Sequence, residues 1–182
     1  ILFSGYFGKN GQIAEGDIAF AEAAMESGNV VVVSQFQYEE KPTVLEDGTT
    51  SYKIKAAYYP YEELKAVSNI GYSNVAQDSD GIVRRIILSE EYQGQTTQTF
   101  SKEIYDLYCK NQGIAPNQVV TDKYNKTLIN YSGKPGDYEC ISMVDVLDGK
   151  IDSRVFKDSI VLVGAYASGM QDNFNVPNGY SK

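Results

Sequence analysis

A single α/β domain, with a mixed central sheet and helices packed on its faces, is predicted by three features of the sequence. The first is a helix-then-strand succession. Ile18, Ala21, Ala24 and Met25 recur at helical spacing within residues 17–27, Gly28 and Asn29 stop the helix, and an unbroken β-branched run follows at 30–34. Such a run, apolar at every position, suits a strand covered on both faces. The second is an amphipathic stripe, Phe100, Ile104, Leu107 and Tyr108, along residues 99–111. The third is another apolar run at 160–163, read as a second buried strand. At 182 residues the chain can bury roughly 70% of its unfolded surface, and neither internal repeats nor a long linker divide it.

The remaining elements follow in order. Residues 1–3 read as a strand remnant and 5–11 as a Gly-rich turn; with 17–27 and 30–34 they make a strand, helix, strand unit whose strands should run parallel. Asp17 is placed to cap the helix or favour its dipole. Residues 39–51 are polar and turn-rich, a surface excursion, 52–59 an edge strand and 61–68 a helical turn. Tyr58, Tyr59 and Tyr61 crowd together as a cover for the core edge. The stretch 70–88 reads as a hairpin, with strands at 70–75 and 82–88 about the turn Asp78-Ser79-Asp80-Gly81. Arg84 and Arg85 are adjacent on the second strand, so alternation sends their guanidinium groups to opposite faces, one of them inward. Residues 89–98 are a polar connection. Gly113 and Pro116 end the second long helix, and 128–131 is a short strand before the loop 132–136. Ser142 opens a helix with Asp145 three residues on, a pattern close to a capping box; Val144 and Leu147 face inward and Gly149 closes it. Residues 152–156 form a short turn. About five to seven strands are expected in all.

Composition narrows the function. The chain is 42% apolar and 22% charged, ordinary for a globular domain, and carries a net charge of -8. That charge argues against nucleic acid, whose phosphates need clustered Lys and Arg, and against an anionic lipid surface. Fifteen Tyr stand beside no Trp and no His, so imidazole base chemistry and imidazole metal ligation have no residue to use. No apolar run approaches the roughly 20 residues of a membrane span. The opening ILFSGYFGKNG lacks a basic region and a cleavage site, so it is not expected to be a signal peptide. Cys109 and Cys140 are too far apart for a redox CxxC and too few for a zinc site. They are either bridged, for which chain entropy would credit roughly 3–4 kcal/mol, or two small buried apolar side chains; the sequence leaves both open.

Chemical motifs are weak. An EF-hand running through Asp78 and Asp80 would need Asp where Ala76 stands and Glu where Ile87 stands. Residues 164–169 hold part of a phosphate-turn spacing, but no helix opens on them, and a tight turn is the better reading. No spacing isolates a pair of carboxylates, and Ser132, Ser142 and Ser168 have no His partner. The Asn125 and Asn130 sequons matter only in a secreted eukaryotic protein. No motif calls for a cofactor, and no metal ligand set stands out.

Several stretches taken together carry a family resemblance. Gly71-Tyr72, Asn74-Val75, Asp78, Asp80-Gly81 and Val83-Arg84-Arg85 form one block. Residues 128–136, Ile141-Ser142, Asp145-Val146-Leu147 and Gly149-Lys150 form a second; residues 157–165, Asp172-Asn173-Phe174 and Pro177 form a third. In this order they resemble a CHASE2 domain, the extracytoplasmic sensory module of bacterial membrane-bound signalling proteins. The resemblance implies that residues 1–182 are one non-catalytic sensor domain, trimmed at both ends from a longer chain. It also implies transmembrane helices in the same chain and a cyclase, histidine kinase (two-component) or Ser/Thr kinase output. The domain would lie on the outer face of the cell membrane, with an unknown small-molecule ligand and a homodimer as further partners. Tyr72, Asn74, Arg84 and Arg85 are the candidate ligand-binding residues, because polar groups there would lie beside a buried strand. An anion would suit an inward Arg, although a salt bridge to Asp78 or Asp80 is the stronger reading. The alternatives are a carboxylate- or Ser-dependent hydrolase or transferase, marked by convergent carboxylates in a cleft, and a surface assembly domain, marked by a large exposed apolar patch.

Overall fold

The computed structural model describes residues 13–41, 43–46, 50–133, 137–164, 174–177 and 179–181. The expected first strand and Gly-rich turn lie outside these residues, as does the turn after Gly164. The chain is a mixed α/β domain. It runs α1 (Glu15–Ser27), β1 (Val31–Tyr38), β2 (Thr43–Val44), β3 (Thr50–Ser51), β4 (Ile54–Tyr58), α2 (Glu62–Val67) and β5 (Asn69–Tyr72). Then come β6 (Arg85–Ile87), β7 (Ser89–Tyr92), β8 (Gln95–Gln98), α3 (Phe100–Gln112), β9 (Lys126–Leu128), α4 (Met143–Leu147), a 3₁₀ turn (Ser153–Phe156), β10 (Phe174–Val176) and β11 (Gly179–Ser181).

The centre is the mixed sheet β4-β1-β5. β1 runs parallel to β5, pairing Val31 with Asn69 and Ser34 with Tyr72, and antiparallel to β4. Alternation along these strands divides the helices between two faces. Val32 and Ile70 point to α1 and α2, forming a core with Ala21, Ala24 and Leu64; Val32 and Leu64 are 0% exposed. On the other face Gly71 meets α3 so closely that a Cβ there would stand 2.4 Å from Phe100 Cα. A residue with no side chain is what permits this approach.

The helix ends follow the residues that specify them. Thr99 caps α3 by accepting from the Lys102 amide at 3.2 Å, and Asp17 reaches back to the Ala14 amide at 2.9 Å to close the start of α1. Gly28 and Gly113 end α1 and α3 at φ 63° and 67°, in the left-handed region. Tyrosines brace the domain from element to element. The hydroxyls of Tyr61, Tyr92 and Tyr131 donate to the carbonyls of Asp17, Lys55 and Val83 at 2.6, 3.0 and 2.9 Å. Tyr61 covers the core edge as expected, whereas Tyr58 stands half exposed and bonds Gln37.

Five expectations are corrected. The turn at 78–81 forms, closed by the Gly81 amide on the Asp78 carbonyl at 2.8 Å, but its flanks do not pair with each other. β5 pairs with β1 and bridges Thr99 from Tyr72, while β6 pairs with β9, so each flank takes a partner other than its neighbour in sequence. Residues 89–98 are instead a hairpin, β7 and β8, turned by Gln93 and Gly94, both at positive φ (52° and 78°). The run 160–163 is neither strand nor buried, Leu162 being 71% exposed; it lines a groove with α3 and Val31 without pairing to β1. Val144 and Leu147 face outward, and the Ser142 side chain makes no capping bond. Cys109 is buried in α3 and Cys140 exposed; both are free thiols, so no bridge links them. Among the described residues the central sheet therefore has three strands, with the other strands in two-stranded pairs around it.

Candidate functional site

The four candidate residues fall into two separate groups. Arg84 and Arg85 converge on the 78–81 turn rather than diverging. Arg84 donates to Asp78 at 2.9 Å and, through both terminal nitrogens, to Asp80 at 2.9 and 2.8 Å; Arg85 donates to the other Asp78 oxygen at 2.9 Å. Residue 84 precedes the regular strand, so strict alternation does not govern the pair. The bidentate bond holds the Asp80 carboxyl down at about 2 and raises the Arg84 guanidinium, hydrogen bonding to Asp80 being the larger cause and to Asp78 the next. Two arginines and two aspartates thus neutralise one another in a partly exposed cluster, and the internal salt bridge is realised.

Tyr72 and Asn74 belong to a cavity of about 340 Å³. It opens at the carboxyl ends of the parallel pair β1 and β5, the position where α/β sheets commonly receive ligands. Tyr72 is 2% exposed, stacks at a tilt on Phe36 with ring centroids 5.3 Å apart, and donates its hydroxyl to the Ile87 carbonyl. Asn74 continues the sheet with its side chain: Oδ1 accepts from the Phe36 amide at 2.7 Å and Nδ2 donates to the Phe36 carbonyl at 2.8 Å. A side-chain amide presents the same donor and acceptor as a peptide, which is why Asn serves here.

The rest of the wall was not singled out by the sequence. Tyr38 from the end of β1, Tyr52 before β4 and Glu90 on β7 line the cavity, with Glu39 and Glu40 at its mouth. Tyr38 and Tyr52 make a tilted ring contact with centroids 6.1 Å apart. Burial is the main cause raising the Glu90 carboxyl; a hydrogen bond from Tyr38 and the charge of Lys126 act against it more weakly. Burial likewise raises the Tyr38 and Tyr72 hydroxyls, with Glu90 contributing to both. The sequence signal for Glu90 was Gln93-Gly94 between Tyr92 and the Thr96-Thr97 pair, a hairpin turn between β-formers that puts Glu90 on a strand rather than in a connection.

A second opening, a groove of about 640 Å³, runs between α3 and the segment 156–163, with Ile104, Leu107 and Leu162 among its walls. Among the described residues no group of three or more His, Cys, Asp or Glu is arranged to hold a metal ion, and no helix is long and apolar enough to cross a membrane. Comparison with the curated proteins and with the solved structures finds no match. The family model of the CHASE2 domain matches residues 1–181, nearly the whole chain. The chain belongs to the CHASE2 domain family, whose members are extracytoplasmic sensory domains and generally non-catalytic.

Proposed function

We propose that the domain is the ligand-sensing part of a bacterial membrane-bound signalling receptor, continuous in the same chain with transmembrane helices and a cyclase, histidine kinase or Ser/Thr kinase output. The observation that carries this reading is the cavity at the carboxyl ends of β1 and β5, in a chain of the CHASE2 family. Its walls come from β1, β7 and the segments that follow β3 and β5, so an occupant would touch the central sheet and the β7–β8 hairpin at once. A ligand favouring one arrangement of these elements shifts a two-state equilibrium by its differential affinity, the form in which a signal can leave the site. Arg84 and Arg85 act in this reading as the structural brace of the 78–81 turn, next to the strand that carries Ile87.

The test uses the full-length receptor in membranes, with output activity measured for Asn74→Ala and Glu90→Gln. A change in basal or stimulated output of severalfold, with the receptor still folded and inserted, is expected; wild-type output from both variants would overturn the reading.

A second reading, assembly with another copy of the chain, is favoured by the exposed apolar side chains of Met143, Val144, Leu147, Ile160 and Leu162. Sedimentation of the domain and of Leu147→Asp distinguishes it: a dimer lost in the variant is expected if this face assembles, and a monomer in both cases refutes it.

A further inference from the structure

The cavity is acidic and aromatic, and this suggests what it holds. Three tyrosines and three glutamates line it, together with Asn74, and no Lys or Arg is among the lining residues. Of the three rings, Tyr38 and Tyr52 lie against each other with centroids 6.1 Å apart and planes tilted by 51°. Aromatic rings and carboxylates share one electrostatic preference, for a positive charge held over the ring. Glu90 sits at the inner wall, where its carboxylate has lost water; the Tyr38 hydrogen bond and the Lys126 charge leave that loss only partly offset. A cation entering the cavity would supply the missing compensation. The chain's net charge of -8 adds a field that draws cations toward such a mouth.

Resting on the proposal that this cavity is the sensor site, we propose that its ligand is an organic ammonium cation, seated against Tyr38 and Tyr52 with its charge facing Glu90. Organic cations fit better than a bare metal ion: aromatic and aliphatic side chains share the lining, and Glu39 and Glu40 are exposed rather than grouped with Glu90 to hold a metal. An anion is disfavoured, because the two arginines that could have met one are committed to Asp78 and Asp80 outside the cavity. About 340 Å³ admits a small amine with its substituents, not a polymer.

Isothermal titration of the protein with choline and with putrescine tests this, with 3,3-dimethylbutan-1-ol as the neutral counterpart of choline and sodium acetate as the anion. At least one of the two cations is expected to bind saturably, neither the alcohol nor acetate to bind, and affinity to fall at least tenfold in Glu90→Gln and in Tyr52→Leu. Tyr52 is exposed and its ring closes the wall without supporting the core, so the second variant remains informative if the first misfolds. Binding of the alcohol as tightly as choline, binding of acetate, or no binding by either cation overturns the proposal. The sensor reading itself stands or falls separately, on whether the Asn74→Ala and Glu90→Gln receptors change output.

Discussion

The region built on β1 and the region from residue 143 to 163 have comparable apolar character and opposite fates. Val32 and Leu64 are fully enclosed between the sheet and the helices α1 and α2, while Leu147 and Leu162 are 74% and 71% exposed. The difference lies in available partners. β1 is hydrogen-bonded to β5 along residues 31–34 and to β4 along residues 35–38, and α1, α2 and α3 pack on its faces. The run 160–163 pairs with no strand and faces α3 across an open groove that Val31 also lines. Apolar residues supply a driving force for burial, but a strand also needs a free edge to satisfy its backbone.

The largest expected effect sets the two regions against each other. Leu64→Ala should cost about 2–5 kcal/mol in urea unfolding, from lost transfer energy and a cavity that cannot fully collapse. Leu162→Ala should stay within about 0.5 kcal/mol, as for other exposed positions. Equal losses would break the comparison and mean that 160–163 is packed in solution.

Gly71→Ala sharpens it from the α3 side. With Phe100 Cα 2.4 Å from the new methyl carbon, sheet or helix must shift, at a cost of about 1–3 kcal/mol. Neutral behaviour in thermal unfolding would show that α3 is held loosely. Gly164→Ala, which meets nothing within 4 Å, is the matched control from the exposed region. Asn74→Ala should cost about 1–3 kcal/mol by leaving the Phe36 amide and carbonyl without their partner; a chemical shift confined to Asn74 and absent at Phe36 in amide NMR would contradict the pairing.

The smallest effect concerns pH. Asp80 is held at about 2 in the folded chain against 3.8 for the free side chain, so the protonated form is disfavoured by folding. Its contribution to stability is present above the free value and lost as pH falls through about 2. The Asp80→Asn variant should lose part of the acid sensitivity in that window and behave like the parent near neutrality, apart from the missing ion pair. Glu90 has the opposite sign. Its carboxyl is raised, so it favours the folded state when protonated, and that contribution is lost as pH rises through the folded value. Acid titration of the two single variants should therefore deviate from the parent in opposite directions; deviations of like sign would overturn one of the assignments.

Local chemistry could be read without coordinates wherever neighbours in sequence settle it. The helices α1 and α3 with their glycine stops, the buried β1, the edge position of β4, the turn at 78–81 and its ion pairs all follow from spacing within about a dozen residues, and the family pattern follows from motif order. What needed tertiary structure were matters of competition for partners. Which strand pairs with each part of β1 depends on segments some twenty to forty residues away, and the unpaired flanks of the 78–81 turn and the outward fate of 160–163 likewise depend on distant segments. Of the candidate site, Tyr72 and Asn74 were visible from the family block. Glu90, Tyr38 and Tyr52 were not, because a carboxylate and two tyrosines acquire a shared cavity only after β1, β4 and β7 have come together. A sequence specifies what each residue can bond; the fold decides which of those bonds remain to be made, because every edge and face can be used once.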